Sequence, residues 1–134
     1  MRSTTEYEML LTRGEPKVIQ CGSPTQLLRV IFEDDGEAAY FYAVAESQGA
    51  EAILDALHVY NASTVTTVEA EPLILRILWS TDGKKAALEL GGSIQAAFDF
   101  EAKRGWCRSG FPPASGEWSR EGHSWDNRVI AFFS

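Results

Sequence analysis

The feature that most limits what this chain can fold into is the run 72–100. There, apolar and polar residues alternate through three segments joined by short reversals. Side chains on a strand point to opposite faces in turn, so alternation at every second position marks a strand with one buried side. In the first segment Leu73, Leu75, Ile77 and Trp79 share a face, and Ile74, Arg76, Leu78 and Ser80 share the other. Asp82-Gly83 follows, a pair suited to the central positions of a type I′ hairpin turn. The return segment sets Ala86, Leu88 and Leu90 against Lys85, Ala87 and Glu89, and Gly91-Gly92 permits a second reversal. In the third segment Ile94, Ala96, Phe98 and Phe100 oppose Gln95, Ala97 and Asp99. Connections this short make the strands antiparallel, because a parallel crossover needs about a dozen residues.

A second hairpin is predicted, with strands 27–33 and 38–45 flanking Asp35-Gly36, again read as a type I′ turn. Leu28, Val30 and Phe32 lie on one parity, and Leu27 and Ile31 on the other. Its partner strand sets Tyr40, Tyr42 and Val44 against Ala39, Phe41 and Ala43. A hairpin apolar on both sides is covered by other elements, central in its sheet, or part of a subunit contact.

Residues 1–16 are polar and read as a loosely held arm with room for one edge strand, and 17–21 suit a short strand. The stretch 47–61 carries two periods. Ile53, Leu54, Leu57 and Tyr60 make a helical face, whereas Leu54, Ala56, His58 and Tyr60 make a strand face. The expectation is a short helical turn feeding a strand that ends at Asn61. Residues 63–68, rich in Thr and Val, suit a strand or an extended connection. No period persists through 101–127, but Trp106, Phe111, Trp118 and Trp125 predict a long loop packed down over the sheet. Residues 128–133 read as a final buried strand. The expected fold is therefore α+β and mostly β: an antiparallel sheet of about six to seven strands, little helix and a long C-terminal aromatic loop. At this length 1–134 is expected to be a single domain.

Several function classes are disfavoured. No apolar run of membrane-spanning length occurs, and 1–16 lacks a signal-peptide core, so no membrane partner and a cytoplasmic location are expected. Cys21 and Cys107 are too few for a disulfide framework and read as free thiols. The net charge is −7, with ten acids against four bases in 1–67 and nine against eight in 68–134. An acidic chain repels phosphate backbones, and the cluster Lys103, Arg104 and Arg108 is too small to reverse this, so no nucleic-acid partner is expected.

Two clusters can carry function. The hairpin tip holds Glu33, Asp34, Asp35 and Glu37, whose like charges can steer a basic protein partner; the alternative is a solvated turn. The loop set Asp99, Arg104, Cys107, Arg108, His123 and Asp126 can form a pocket for an anionic ligand, with the arginines and His123 as cations. Cys107 can become a nucleophile only if a neighbouring cation lowers its pKa; otherwise it is a buried thiol. His58 and His123 form no short-spaced metal motif, and no GxGxxG, P-loop, HExxH or GxSxG occurs. Neither a metal nor a cofactor is expected, and the reading leans away from an enzyme.

Three stretches share a resemblance: ILDALHVYN at 53–61, WSTDGKKAALELGG at 79–92 and AAFDFEAKRGWCRSGFPP at 96–113. Together they resemble a family of small bacterial proteins known as domain of unknown function 2251, over roughly 25–113. The last stretch is the most specific, with Phe98-Asp99-Phe100, then Gly105-Trp106-Cys107-Arg108, then Phe111-Pro112. It departs at Trp106 and Gly110, where the family pattern more often has tyrosine and asparagine. The resemblance implies a bacterial cytoplasmic protein and supplies no activity. The functional expectation is a non-enzymatic acidic interaction module, with an immunity-type antitoxin as one version by analogy. The alternative is a small-molecule-binding protein or small enzyme with an anion site under 101–127. Two open sheet edges also make a homodimer an expectation.

Overall fold

The computed structural model describes residues 3–47, 49–64, 71–113 and 116–134. Among them nine strands alternate with short turns: β1 Ser3–Leu11, β2 Lys17–Gly22, β3 Leu28–Asp34, β4 Ala38–Ser47, β5 Ala50–Asn61, β6 Leu73–Ser80, β7 Lys85–Leu90, β8 Ser93–Asp99 and β9 Arg104–Cys107. Helix among the described residues is limited to 3-10 segments at Ala62–Thr64 and Asn127–Phe133. The fold is mostly β and antiparallel, as the alternation requires. The strands exceed the expected six to seven because they form two sheets, ordered β1-β6-β7-β8-β9 and β2-β3-β4-β5.

Each sheet has one continuous apolar face, and the two faces bury each other. Phe41 of β4 stacks on Phe98 of β8 at 5.3 Å between ring centres, joining the sheets through interior strands. Trp79, Val30, Phe32, Leu57, Leu75, Ile77 and Leu88 fill the remaining interior. Each such side chain contributes about 1.5–3 kcal/mol by leaving water.

The meander forms β6-β7-β8 in the predicted order, with two local differences. At the first turn, the Gly83 amide donates to the Ser80 carbonyl at 2.8 Å, and of the Asp82-Gly83 pair only Gly83 has positive φ. A type I′ turn requires both central residues there, so the predicted turn type is replaced by one that puts Thr81 and Asp82 at the centre. Asp82 accepts from the Ser80 hydroxyl and the Lys84 amide. The Asp35-Gly36 turn differs similarly: the Asp35 amide donates to the Ala38 carbonyl, placing Gly36-Glu37 centrally with only Gly36 at positive φ. Second, β7 pairs Leu88 with Ala96 but Glu89 with Ile94, a bulge that turns Ile94 to the opposite face from Ala96 and Phe98.

Bulges also explain β5, which is strand throughout rather than a helical turn feeding a strand. Its pairing with β4 steps from Tyr40↔His58 to Ala39↔Tyr60, and from Val44↔Ile53 to Ala43↔Asp55. Val59 and Leu54 are the extra residues. Leu54, Leu57, Val59 and Tyr60 therefore all pack on the core, a spacing that imitates a helix.

Of the stretch 1–16, residues 3–11 form strand β1, the edge strand for which the sequence leaves room, paired with β6 along its length and ending in the fully buried Leu11. β2 forms where a short strand is predicted. Of the stretch 63–68, residues 63 and 64 lie in the first 3-10 segment and the rest fall outside the described residues. The long loop contains β9, and Trp118 packs into the main core as expected. The predicted final strand is instead the 3-10 segment Asn127–Phe133. It lies on the outer face of the first sheet, where Val129 and Phe133 cover Leu78, Ala87, Ala97 and Trp106. The Asp126 carboxylate caps the segment by accepting from the Arg128 amide.

Candidate functional site

The two sheets differ in what lies outside them. The first is roofed by Asn127–Phe133. Across the outer face of the second run three cross-strand rows, fixed by the register: Val18–Glu33–Tyr40–His58, Gln20–Ile31–Tyr42–Ala56 and Gly22–Arg29–Val44–Ile53. Val18 is 60% exposed and Ile53 67%, while Ile31, Tyr40 and Tyr42 are half-buried. The Tyr40 and Tyr42 rings stack at 6.1 Å, the His58 ring meets Tyr40 edge-on at 5.5 Å, and Phe111 meets His58 at 6.1 Å. His58 is held in this stripe by Ser109 Oγ at 3.0 Å on Nδ1 and Asn61 Oδ1 at 2.9 Å on Nε2.

The four predicted acidic residues adjoin this face but are not equivalent. Asp34 is 1% exposed, and its carboxylate accepts from the Gly14 amide at 2.7 Å, the Gly36 amide at 2.8 Å and the Tyr60 hydroxyl at 2.5 Å. It is a fastener, tying the β1–β2 turn to β3 and β5. Burial, followed by this hydrogen bond, pushes the Tyr60 hydroxyl pKa far up. Asp35 caps its turn by accepting from the Ala38 and Glu37 amides, which hold its pKa below the usual carboxylate value. Glu33 accepts from the Tyr42 hydroxyl at 3.4 Å, and Glu37 is exposed. Burial first, and then the negative charge of Glu33, raises the Tyr42 pKa. The only cation in the three rows, Arg29, pairs with Glu51.

The members of the second predicted cluster do not all line one pocket, although Asp99 and Arg104 are register partners and the Cys107 amide donates to the His123 carbonyl. Asp99 accepts from the Glu101 and Ala102 amides and lies 3.8 Å from Lys85. Arg104 stacks over Trp106 and pairs with Glu121, and Arg108 stacks over Trp125 at 3.8 Å while donating to the Ile94 carbonyl. Asp126 pairs with Arg128, which holds its pKa down to about 2. Arg104 and Asp126 share a small hollow of about 210 Å³ with Trp106, Val129 and Phe132, but Asp99, Cys107, Arg108 and His123 do not line it. Cys107 is fully buried, with Sγ donating to the Phe111 carbonyl at 3.4 Å.

His123 belongs to an interior network whose other members the sequence reading missed. Its Nε2 faces the two oxygens of Asp55 at 2.9 and 3.0 Å, and its Nδ1 faces the Pro112 carbonyl at 2.5 Å. Ser119 Oγ donates to Asp55 at 2.6 Å and accepts from the Gly105 amide at 2.8 Å. Here the carboxylate sits between serine and imidazole. In a nucleophilic triad the imidazole must sit between them to take the hydroxyl proton. This network therefore ties β5 to β9 and the long loop and offers no activated hydroxyl. Its only sequence signal is an acid among the apolar residues of 53–57. Among the described residues no three His, Cys, Asp or Glu side chains gather as metal ligands, and no helix is long and apolar enough to cross a membrane.

No solved structure matches this chain. An uncharacterised protein of Haemophilus influenzae is 38% identical to it over 121 residues, covering 88% of this chain and 73% of that protein. The family model described as an uncharacterised protein conserved in bacteria, domain of unknown function 2251, matches residues 11–134, and the chain belongs to that family.

Proposed function

We propose that this protein is a non-enzymatic interaction module whose second sheet receives a basic segment of a partner protein on its outer face. The observation that carries the reading is the contrast between the sheets. One outer face is roofed by Val129 and Phe133, while the other leaves Val18, Ile31, Tyr40, Tyr42 and Ile53 open to solvent in whole or part. Tyrosines at such a surface are typical interface anchors, because they bury large area at little entropic cost. Glu33, Asp35 and Glu37 border the stripe. An arginine or lysine laid along Tyr40 and Tyr42 would meet ring faces and reach these carboxylates with its head group. Neutralisation of a basic toxin in the bacterial cytoplasm is one form of this activity, offered by analogy with small acidic immunity proteins. The same face can also join two copies of the chain.

The test is capture of partners from native bacterial lysate at low and high salt, with Tyr40→Ser/Tyr42→Ser and Glu33→Lys/Glu37→Lys variants alongside. Urea unfolding confirms that each variant remains folded. A stoichiometric basic protein retained by wild type and lost from both variants supports the reading. Equal retention by all three, or no stoichiometric partner, counts against it. Sedimentation of the isolated protein reports the homodimer separately.

A further inference from the structure

A different opening lies on the inner side of the sheets, where the core reaches solvent. Leu28 of β3, Leu54 of β5, Phe100 and Trp118 floor a cleft of about 460 Å³. Trp118 stands edge-on to Phe100 at 5.6 Å and to Phe98 at 6.3 Å, so its indole is fixed by ring contacts rather than free. Gln26 and Lys84, which also line the cleft, adjoin a built contact between the sheets. The Ser23 hydroxyl donates to the Gly83 carbonyl at 2.8 Å and the Thr25 hydroxyl to the Asp82 carbonyl at 2.7 Å, fastening the 22–27 turn of one sheet to the β6–β7 turn of the other. An apolar cavity of this size with a few polar groups at its mouth has the form of a small-molecule site.

The mouth decides the ligand. Lys84 pairs with Glu101 at 3.2 Å and Lys103 pairs with Glu117, all four lining the cleft with side chains 41–69% exposed. Exposed pairs are worth only about 0–1 kcal/mol, so a ligand's own charges can replace either partner. A simple anion entering here gains two ammonium groups but also meets two carboxylates, and a simple cation has the converse difficulty. A head group with both signs meets a partner for each charge.

We propose that the cleft binds a small zwitterion with an apolar, ring-bearing body, the chemistry of a free aromatic amino acid or short hydrophobic peptide. The body lies on Trp118, Phe100, Leu28 and Leu54. The carboxylate replaces Glu101 or Glu117 at a lysine, and the ammonium replaces a lysine at a glutamate. This site is separate from the tyrosine face and does not depend on it.

The probe is the dipeptide Phe-Leu in four forms sharing one apolar body: free, N-acetylated, C-amidated and blocked at both ends. Titration is followed by calorimetry and by the Trp118 indole N–H signal. The free form should bind at least about tenfold more tightly than the other three and shift the Trp118 signal. In Lys84→Glu/Lys103→Glu, whose changes are on exposed side chains, the preference should pass to the cationic amidated form. Failure of all four forms to shift Trp118, equal binding of the doubly blocked form, or preference of wild type for the anionic form would each overturn the proposal.

Discussion

Asp55 and His123, separated by 68 positions in the chain, form an ion pair in the interior at 2.9 Å, with side chains 9% and 2% exposed. Both ring nitrogens face acceptors, and only the doubly protonated imidazolium can donate to both. Burial is the largest influence on the His123 pKa and lowers it. The hydrogen bonds to Asp55 and the Pro112 carbonyl, with the Asp55 charge, outweigh burial and leave the pKa above the ordinary 6.5. A group whose pKa rises on folding contributes stability that is complete below its unfolded value and is lost as pH rises through its folded value. Urea-unfolding free energies measured between about pH 5 and pH 8 should therefore show the wild type's advantage over His123→Ala shrinking toward the alkaline end. At acid pH that advantage should be about 3–5 kcal/mol, since the variant leaves Asp55 buried without its cation. An advantage that grows with pH would mean that His123 is neutral in the fold.

The fastening of the two sheets at Gly83 gives a second prediction. Gly83 has φ of +71°, and a Cβ there would come within 2.1 Å of Thr25 Oγ1 and 2.4 Å of Ser23 Oγ. Gly83→Ala combines left-handed backbone strain with displacement of the two hydroxyls that bridge the sheets, a cost of about 2–4 kcal/mol. Chemical denaturation measures it. Much of the cost should disappear when Ser23→Ala and Thr25→Ala are already present, because the hydroxyls to be displaced are then gone.

Strand alternation was readable wherever pairing was regular, and misleading where a bulge intervened. Leu75, Ile77, Trp79, Ala86 and Leu88 keep strict period two and occupy the predicted face. Ile94 lies just beyond the Leu88/Glu89 bulge and is on the other side. In β5 two bulges bring Leu54, Leu57, Val59 and Tyr60 onto the core together, which no period-two pattern contains. The acidic tip was visible as composition, but the burial of Asp34 depends on Gly14 and Tyr60, which are distant in sequence. The same holds for His123: a lone histidine in a loop does not reveal an aspartate in β5. The cleft was hidden for a related reason. Its floor draws one residue from each of four segments, and each residue alone reads as ordinary core.

Neither cysteine should behave as a nucleophile. Burial pushes the Cys21 thiol pKa up, and the nearby Trp79 indole only partly offsets this. Cys107 is fully buried with its sulfur against the Phe111 carbonyl. A thiolate-directed reagent should leave both untouched in native buffer and modify both in denaturant, because reaction requires an accessible thiolate. Fast native labelling of Cys107 would restore the nucleophile reading.

The close approach at Gly105 links the matched family motif to the interior network. A Cβ on Gly105 would lie 2.9 Å from the Phe98 ring and 3.0 Å from Asp55 Oδ2, and the Gly105 amide donates to Ser119. Phe98 is pinned by Phe41 and Trp118 and has no room to retreat. Gly105→Ala should therefore cost about 1–3 kcal/mol through overpacking. It should also shift the His123 ring resonances, since any displacement of Asp55 changes the imidazole's partner. Gly116 is the control: its φ of +99° makes Gly116→Ala strained too, but a Cβ there meets nothing within 4 Å, so the change should leave those resonances in place. Loss of stability at both positions with a resonance shift only at Gly105 would show that the glycine is needed for the space it leaves to Asp55.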